Sequence, residues 1–317
     1  MMSISMLFSI LSQVFPPKPR WTANNIPDLS GKVYFVTGGT SGIGKETVKE
    51  LLRHNATVYV GARHPDAAHD VTKEWKQLTG NEARVLALDL GNLKSIRSAA
   101  EEFQAQERHL HVLINTAGVM QTPDDMLTSN GYDAQFGINV LGHAYLTNLL
   151  LPTLLATTDE TGIKSRVVSV SSIVHHRRAR IDYDTLRGDD ANRLRLSAYD
   201  RYAQSKYGVV VFSNELARRH GDKLVSVSLN PGNIKTGIRR YQNTASLHHR
   251  LSLLLLYPPE LGALTQLWAA TAPETADLNG KYLIPWARVG QAMPSARKPE
   301  GGERLWNWVE EQTKNIE

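Results

Sequence analysis

A short apolar run, Val33–Val36, leads without a break into Thr37-Gly38-Gly39-Thr40-Ser41-Gly42-Ile43-Gly44, and a helical pattern continues from Ile43 to about Arg53. A strand, a turn of small residues and a helix in that order leave the chain little freedom. Glycine permits unusual dihedrals and lets backbone come close to a phosphate. The helix behind such a turn offers unpaired N–H groups and a positive dipole end to a pyrophosphate. No Gly-Lys-Ser/Thr ending follows the glycines, so the turn is not a nucleoside-triphosphate P-loop.

The same rhythm continues downstream. Thr57–Val60, Arg84–Leu88, Val112–Ile114, Arg166–Ser171 and Val225–Leu229 read as further strands, with helical segments near 93–107, 134–154 and 203–219. Tyr282–Ile284, after the Asn279-Gly280 turn, reads as a seventh strand that Pro285 ends. Strands apolar on both faces and alternating with helices predict an α/β fold, a parallel sheet of about seven strands covered by helices on both faces. The 317 residues, 41% hydrophobic, can build this as one domain. Residues 31–290 form that domain, with extensions over 1–30 and 291–317. The chain has no cysteine, which excludes disulfides, cysteine–metal sites and thiol nucleophiles. A net charge of +5 suits anionic ligands or surfaces without selecting any.

Three stretches stand outside this rhythm. Residues 1–15 are too short to span a membrane and lack a secretory signal's basic start. As a helix they would place Met6, Leu7, Ile10, Leu11 and Val14 on one face, to dock on the protein's own core or to lie on a membrane. Residues 175–201 are long and charged. Residues 233–258 carry Arg239, Arg240, His248, His249, Arg250 and Leu253–Leu256, and read as a substrate loop whose leucines, with Leu251 and Tyr257, either wall a pocket or pack as core. His175-His176-Arg177-Arg178 and His248-His249-Arg250 read as solvated basic faces. They lack the interleaved aromatics of a nucleic-acid surface and the further ligands of a zinc site, so neither nucleic acid nor metal is expected. Trp306 and Trp308, in a helix over Gly301–Thr313, read as packing residues.

Two further signals concern chemistry. The second strand ends Val60-Gly61-Ala62-Arg63-His64, with no acid to accept from ribose hydroxyls. Arg63 suits the 2′-phosphate of NADP, a solvated surface arginine being the alternative. In Tyr202-Ala203-Gln204-Ser205-Lys206 the tyrosine and lysine stand four apart, on one helix face. A nearby ammonium favours the phenolate, which suits proton exchange with a carbonyl or alcohol oxygen. Ser172 closes a strand at its carboxyl end, where open sheets of this class bind ligands.

In these residues, and over about residues 30–290, the chain resembles the short-chain dehydrogenase/reductase family, whose fold is a single-domain, Rossmann-type doubly wound sheet. The turn from Thr37 to Gly44 matches the family's cofactor turn, with Gly38, Thr40, Ser41, Gly42, Ile43 and Gly44 as its contacts. Asp89-Leu90 resembles the adenine-contacting pair. Asn115, Ala117 and Gly118 stand in the family's Asn-Asn-Ala-Gly-type motif, from which Thr116 departs. Asn139, Ser172, Tyr202 and Lys206 match the catalytic tetrad, and Pro231-Gly232, Ile234 and Thr236 the turn beside the nicotinamide. The resemblance implies that Tyr202 exchanges the proton, Ser172 orients the substrate oxygen, Lys206 holds the ribose and tunes Tyr202, and Asn139 fixes a water. It also implies homodimers or homotetramers through helices near 103–107 and 203–219. From Ser172 to Tyr202 is 202 − 172 = 30 residues, longer than the family's common spacing. With Asn230-Pro231-Gly232-Asn233-Ile234-Lys235-Thr236 this looks like the retinol-dehydrogenase-like branch, especially its fungal members.

The expectation is an NADP(H)-dependent, cytoplasmic oxidoreductase for a lipophilic carbonyl or alcohol, in the setting of fungal secondary metabolism, with peripheral membrane contact through residues 1–15 as an option. The alternative is a catalytically silent NADP-binding regulatory or scaffold protein. If Arg63 reads the 2′-phosphate, kcat/KM is higher with NADP(H) than with NAD(H), and Arg63→Ala erases the preference. Equal efficiencies in the native chain, or an Arg63→Ala variant that still discriminates, would contradict this.

Overall fold

A computed structural model describes residues 10–187, 190–242 and 256–316. Eight strands form one sheet: β1 (Val33–Thr37), β2 (Thr57–Ala62), β3 (Arg84–Ala87), β4 (Val112–Asn115), β5 (Ser165–Val170), β6 (Leu224–Leu229), β7 (Tyr282–Ile284) and β8 (Arg288–Gly290). Their order is β3-β2-β1-β4-β5-β6-β7-β8. The first seven are parallel and β8 returns antiparallel on β7. The expected seven strands are therefore present, with an eighth that the sequence does not announce. Three residues with Val289 exposed carry no readable alternation.

Strand side chains alternate between two cores. From β1, Val33 and Phe35 face one layer, Tyr34 and Val36 the other. On the first face lie α3 (Leu93–Gln106), the long α4 (Ala134–Thr161), α5 (Ala198–His220) and α7 (Pro299–Thr313). The second face carries α1 (Gly42–Arg53), α2 (His69–Thr79) and α6 (Pro259–Thr271). Helices α2 and α6 were not expected from the sequence. Only Val71 and Trp75 of α2 are buried, a sparse stripe, whereas α6 is buried nearly all round and shows no amphipathic period.

Both extensions pack onto the domain. Trp306 stacks on Phe212 of α5 at 5.7 Å, and Trp308 meets the rings of Tyr132 and Phe136 edge-on, as packing residues should. Helix α7 thereby covers α5, which is buried from Arg201 to Ser213 within the single chain. At the other end, residues 10–14 form a helical turn docked on the domain's own surface. The side chain it buries is Gln13, whereas Leu11 is exposed. Ile10 and Val14 are half-buried, Asn230 donates from Nδ2 to Gln13 Oε1 at 3.0 Å, and Arg288 donates to the Ser12 carbonyl at 2.8 Å. Met6 and Leu7 lie outside the described residues. Helix α4 is long and apolar enough to cross a membrane, but 61% of its apolar window is buried in the protein, as befits a core helix.

Strand order reverses between β1 and β4, which opens a crevice above their carboxyl ends. Elsewhere in the first core, Phe103 of α3 packs on β1 and β2, edge-on to Phe35 at 5.4 Å and to Tyr59 at 4.8 Å. Phe103→Ala is expected to cost about 3–5 kcal/mol. Urea unfolding measures it, and a loss below about 1 kcal/mol would show that the packing of α3 on β1 and β2 does not depend on this ring.

Candidate active site

The crevice is a cleft of about 1190 Å³ along the carboxyl ends of the strands. At one end stands the glycine turn. Gly38 (φ +65°) leaves β1 so close to the β4 loop that a Cβ on it would lie 2.8 Å from Ala117 Cα. On Gly44 a Cβ would collide with the Gly38 carbonyl oxygen, and Gly42 (φ +54°) opens α1 in the left-handed region. The N-cap of α1, Ser41, makes no side-chain cap bond, so the first-turn N–H groups face the cleft. A cradle without Cβ atoms, backed by uncapped amides, fits a pyrophosphate. Arg63 stands exposed just beyond β2, without a carboxylate partner among the described residues. Asp89 and Leu90 line the same end, with the Asp89 carboxylate held by the Gly91 N–H at 2.8 Å.

Thr37 binds the two halves of the floor together. Its hydroxyl accepts the N–H groups of Thr116 (3.0 Å) and Ala117 (3.1 Å), and contacts His143 Nε2 at 2.9 Å. With two donors already on Thr37 Oγ1, its proton goes to Nε2. His143 Nδ1–H then donates to the Asn139 carbonyl at 3.1 Å. Asn139 sits in a π turn of α4, a local distortion often found at functional sites. Its amide accepts from the Val119 N–H (2.9 Å) and donates to the Val119 carbonyl (3.0 Å) and to Ser205 Oγ (2.9 Å).

The other end of the cleft holds Ser172, Tyr202 and Lys206. One turn apart on α5, Tyr202 and Lys206 point the same way, with Lys206 Nζ 5.9 Å from the Tyr202 ring centre. Lys206 Nζ donates to the Val170 carbonyl at 2.8 Å, at the end of β5, and the Ser171 hydroxyl donates to the Lys206 carbonyl at 2.7 Å. Burial lowers Lys206 to about 8. For Tyr202, burial is the largest influence and pushes the phenol up, against the smaller downward pulls of its hydrogen bond with Ser172 and of Arg239. The expected lowering of Tyr202 by the Lys206 ammonium does not appear: the phenol is raised, because desolvation penalises phenolate more than Ser172 and Arg239 reward it.

Gly38, Thr40, Ser41, Gly42, Ile43, Gly44, Arg63, Asp89, Leu90, Ala117, Gly118, Ser172, Tyr202, Lys206, Pro231, Gly232, Ile234 and Thr236 all line this one cleft. Asn115 and Asn139 are buried behind it, Asn115 donating to Thr147 Oγ1 at 3.2 Å. Of the leucine wall, Leu251 and Leu253–Leu255 lie outside the described residues, while Leu256 and Tyr257 do not line the cleft, Tyr257 packing edge-on against Trp286 at 5.2 Å.

The basic-face reading of His175-His176 also needs correction. His175 is fully buried, donating from Nδ1 to the Ser172 carbonyl (2.7 Å) and accepting the Met293 N–H on Nε2 (3.0 Å). It thus ties the serine's turn to the C-terminal extension, a role invisible when both partners lie far off in sequence or on the backbone. The parts played by Thr37, His143, Ser171 and Ser205 are likewise illegible in sequence, since hydroxyls and a lone histidine carry no spacing signal. Among the described residues no group of three or more potential metal ligands occurs.

Comparison with known proteins agrees with this geometry. A family model described as short chain dehydrogenase matches residues 32–181. A short-chain dehydrogenase/reductase of Armillaria gallica is 48% identical, over 97% of this chain and 98% of its own length. The chain belongs to the short-chain dehydrogenase family. Human retinol dehydrogenase 11 is 37% identical over 88% of this chain and 85% of its own. Among solved structures, an uncharacterized protein from Mycobacterium paratuberculosis superposes with a TM-score of 0.70 at 30% identity, covering 93% of this chain and 97% of that one. A short chain dehydrogenase from Burkholderia cenocepacia in complex with NADP has a TM-score of 0.63 at 22% identity, covering 82% and 98%, and shows the shared fold.

Two histidines at the site make stability depend on pH. Burial lowers His143 to about 4 and His175 to about 3 from an ordinary 6.5, so the folded chain refuses protons that the unfolded chain binds. Stability is whole above pH 6.5 and is lost as pH falls from there toward 4, at about 1.4 kcal/mol per pH unit for each histidine. The urea midpoint should drop between pH 7 and pH 5. An unchanged midpoint would mean that these rings take up protons without unfolding.

Proposed function

We propose that the protein is an NADP(H)-dependent oxidoreductase that transfers hydride to or from a lipophilic carbonyl or alcohol. The observation that carries this reading is the Ser172–Tyr202 hydroxyl pair, one helical turn from Lys206 and in the same cleft as the glycine cradle. A nicotinamide dinucleotide held there supplies or accepts the hydride. The turn from Gly38 to Gly44 and the first amides of α1 would hold its pyrophosphate, Asp89 and Leu90 its adenine end, and Pro231, Gly232, Ile234 and Thr236 its nicotinamide end. Asn115, Ala117 and Gly118 would form the floor. Arg63, without a carboxylate partner among the described residues, favours a 2′-phosphate and hence NADP over NAD.

Ser172 Oγ orients the substrate oxygen, and Tyr202 Oη gives it a proton in reduction or takes one in oxidation. A high phenol pKa suits the acid, because Tyr202 then stays protonated until charge develops on the substrate. Lys206, lowered to about 8, holds the ribose side and relays protons near neutrality. Asn139, whose amide joins Val119 to Ser205, keeps α4 and α5 in register beneath this pair, and fixing a water beside Lys206 is part of the same proposal.

Apolar Met120, Ile173, Val174 and Ile238 in the cleft support a lipophilic substrate, as does the likeness to a protein named for retinol. Fungal relatives support the fungal secondary-metabolic setting. A silent NADP-binding protein would not need a paired Ser172 and Tyr202. Replacing Tyr202 by Phe should lower kcat about 10²–10⁴-fold while NADP(H) binding, followed by fluorescence, persists. Turnover within a factor of about two of the native value would overturn the proton-transfer role.

A further inference from the structure

The turn after β6 is set by an asparagine whose two amide ends have different tasks. Asn230 is 2% exposed, and its Oδ1 accepts the Gly232 N–H at 3.0 Å. That bond holds Pro231-Gly232, both in the cleft wall, in a turn with Gly232 at φ +90°. With Oδ1 committed, Nδ2 points the other way and needs an acceptor out of reach of water. The acceptor comes from the far end of the chain. Gln13, 1% exposed, presents Oε1 to Nδ2 at 3.0 Å. Its neighbour Ser12 is held in turn, the carbonyl accepting from Arg288 Nη2 at 2.8 Å while Arg288 Nε donates to the Pro285 carbonyl at 2.7 Å. The backbone of Asn230 is fixed independently, its N–H donating to the Leu283 carbonyl of β7 at 3.0 Å. What Gln13 decides is therefore the orientation of the side-chain amide.

We propose that Gln13 is a positioning residue for the cofactor: by accepting from Asn230 Nδ2 it orients that amide, and through it the Pro231-Gly232 turn that receives the nicotinamide end of NADP(H). This rests on the cofactor reading of the cleft and gives the N-terminal segment a part in it. Were the Asn230 amide turned over, Nδ2 would meet the Gly232 N–H, donor against donor, and the turn would lose its tie. One hydrogen bond can decide this because both side chains are buried, so water is a poor substitute for either. The effect belongs to one end of the cleft. Arg63 and Asp89, at the adenine end, follow β2 and β3, and three strands (β1, β4 and β5) stand between β2 and β6.

The test compares a ligand that has a nicotinamide with one that lacks it. NADPH and adenosine 2′,5′-bisphosphate, which keeps the adenine end and the 2′-phosphate, are titrated onto the full chain and onto Gln13→Met. Methionine keeps the length of the side chain without the accepting oxygen. Calorimetry gives both dissociation constants, and NADPH emission reports the surroundings of the nicotinamide. Gln13→Met should bind NADPH about 5–50-fold more weakly and lose most of the emission change, while bisphosphate binding stays within about twofold. Gln13→Glu, which keeps an accepting oxygen at the same reach, should bring NADPH binding back to within about threefold of native. An unchanged NADPH constant in Gln13→Met, an equal loss of both ligands, or a Gln13→Glu variant as weak as Gln13→Met overturns the positioning role. A native chain that binds neither ligand overturns the cofactor reading, and the proposal falls with it.

Discussion

The structure depends on how closely two loops approach where the strand order reverses. Gly38, leaving β1, rests against Ala117, leaving β4, with room for no side chain between them. The Thr37 hydroxyl fastens that approach by accepting two N–H groups of the β4 loop. Close contact here sets the floor of the cleft and the direction in which the first amides of α1 point. A slightly wider gap would leave a turn of glycines with nothing to hold.

From Thr37 the ordering passes through His143 to the backbone of Asn139, and from the Asn139 amide to Ser205 in the same turn of α5 as Tyr202 and Lys206. The cofactor end and the reacting end of the cleft are therefore joined by a line of buried hydrogen bonds. Each member is satisfied by a neighbour, which is the condition under which a buried polar chain rigidifies a fold. A second line reaches the site from outside: His175 connects the Ser172 turn to Met293, so the C-terminal extension braces that turn as well as covering α5. The N-terminal segment does something similar at Asn230, whose Oδ1 accepts the Gly232 N–H beside the nicotinamide turn.

Much of this is legible in the chain. Strands apolar on both faces, the glycine turn and the Tyr202/Lys206 spacing are local patterns, and all concern neighbours within one turn or one strand. The residues carrying those patterns converge on one cleft. What the pattern missed has a common physical character. Helix α6 is buried on every side and so has no polar face to set a period, and β8 is an edge strand of three residues. His175 looks like part of a basic surface because its neighbours in sequence are charged, yet its ring is enclosed by Tyr282 and His176 and its nitrogens are spent on backbone.

By itself the sequence determined the layering of the domain, the position of the glycine turn that opens α1 and the placing of Tyr202 and Lys206 on one helix face. Periodicity, glycine's backbone freedom and i, i+4 spacing act over a few residues. The tertiary structure decided the rest: which hydroxyls fasten β1 to β4, that Gln13 rather than Leu11 turns inward, and that burial pushes the Tyr202 phenol up against the pulls of Ser172 and Arg239. Each of these depends on the distance and burial of groups far apart in the chain, and electrostatic and hydrogen-bond energies respond to those two quantities before they respond to residue type.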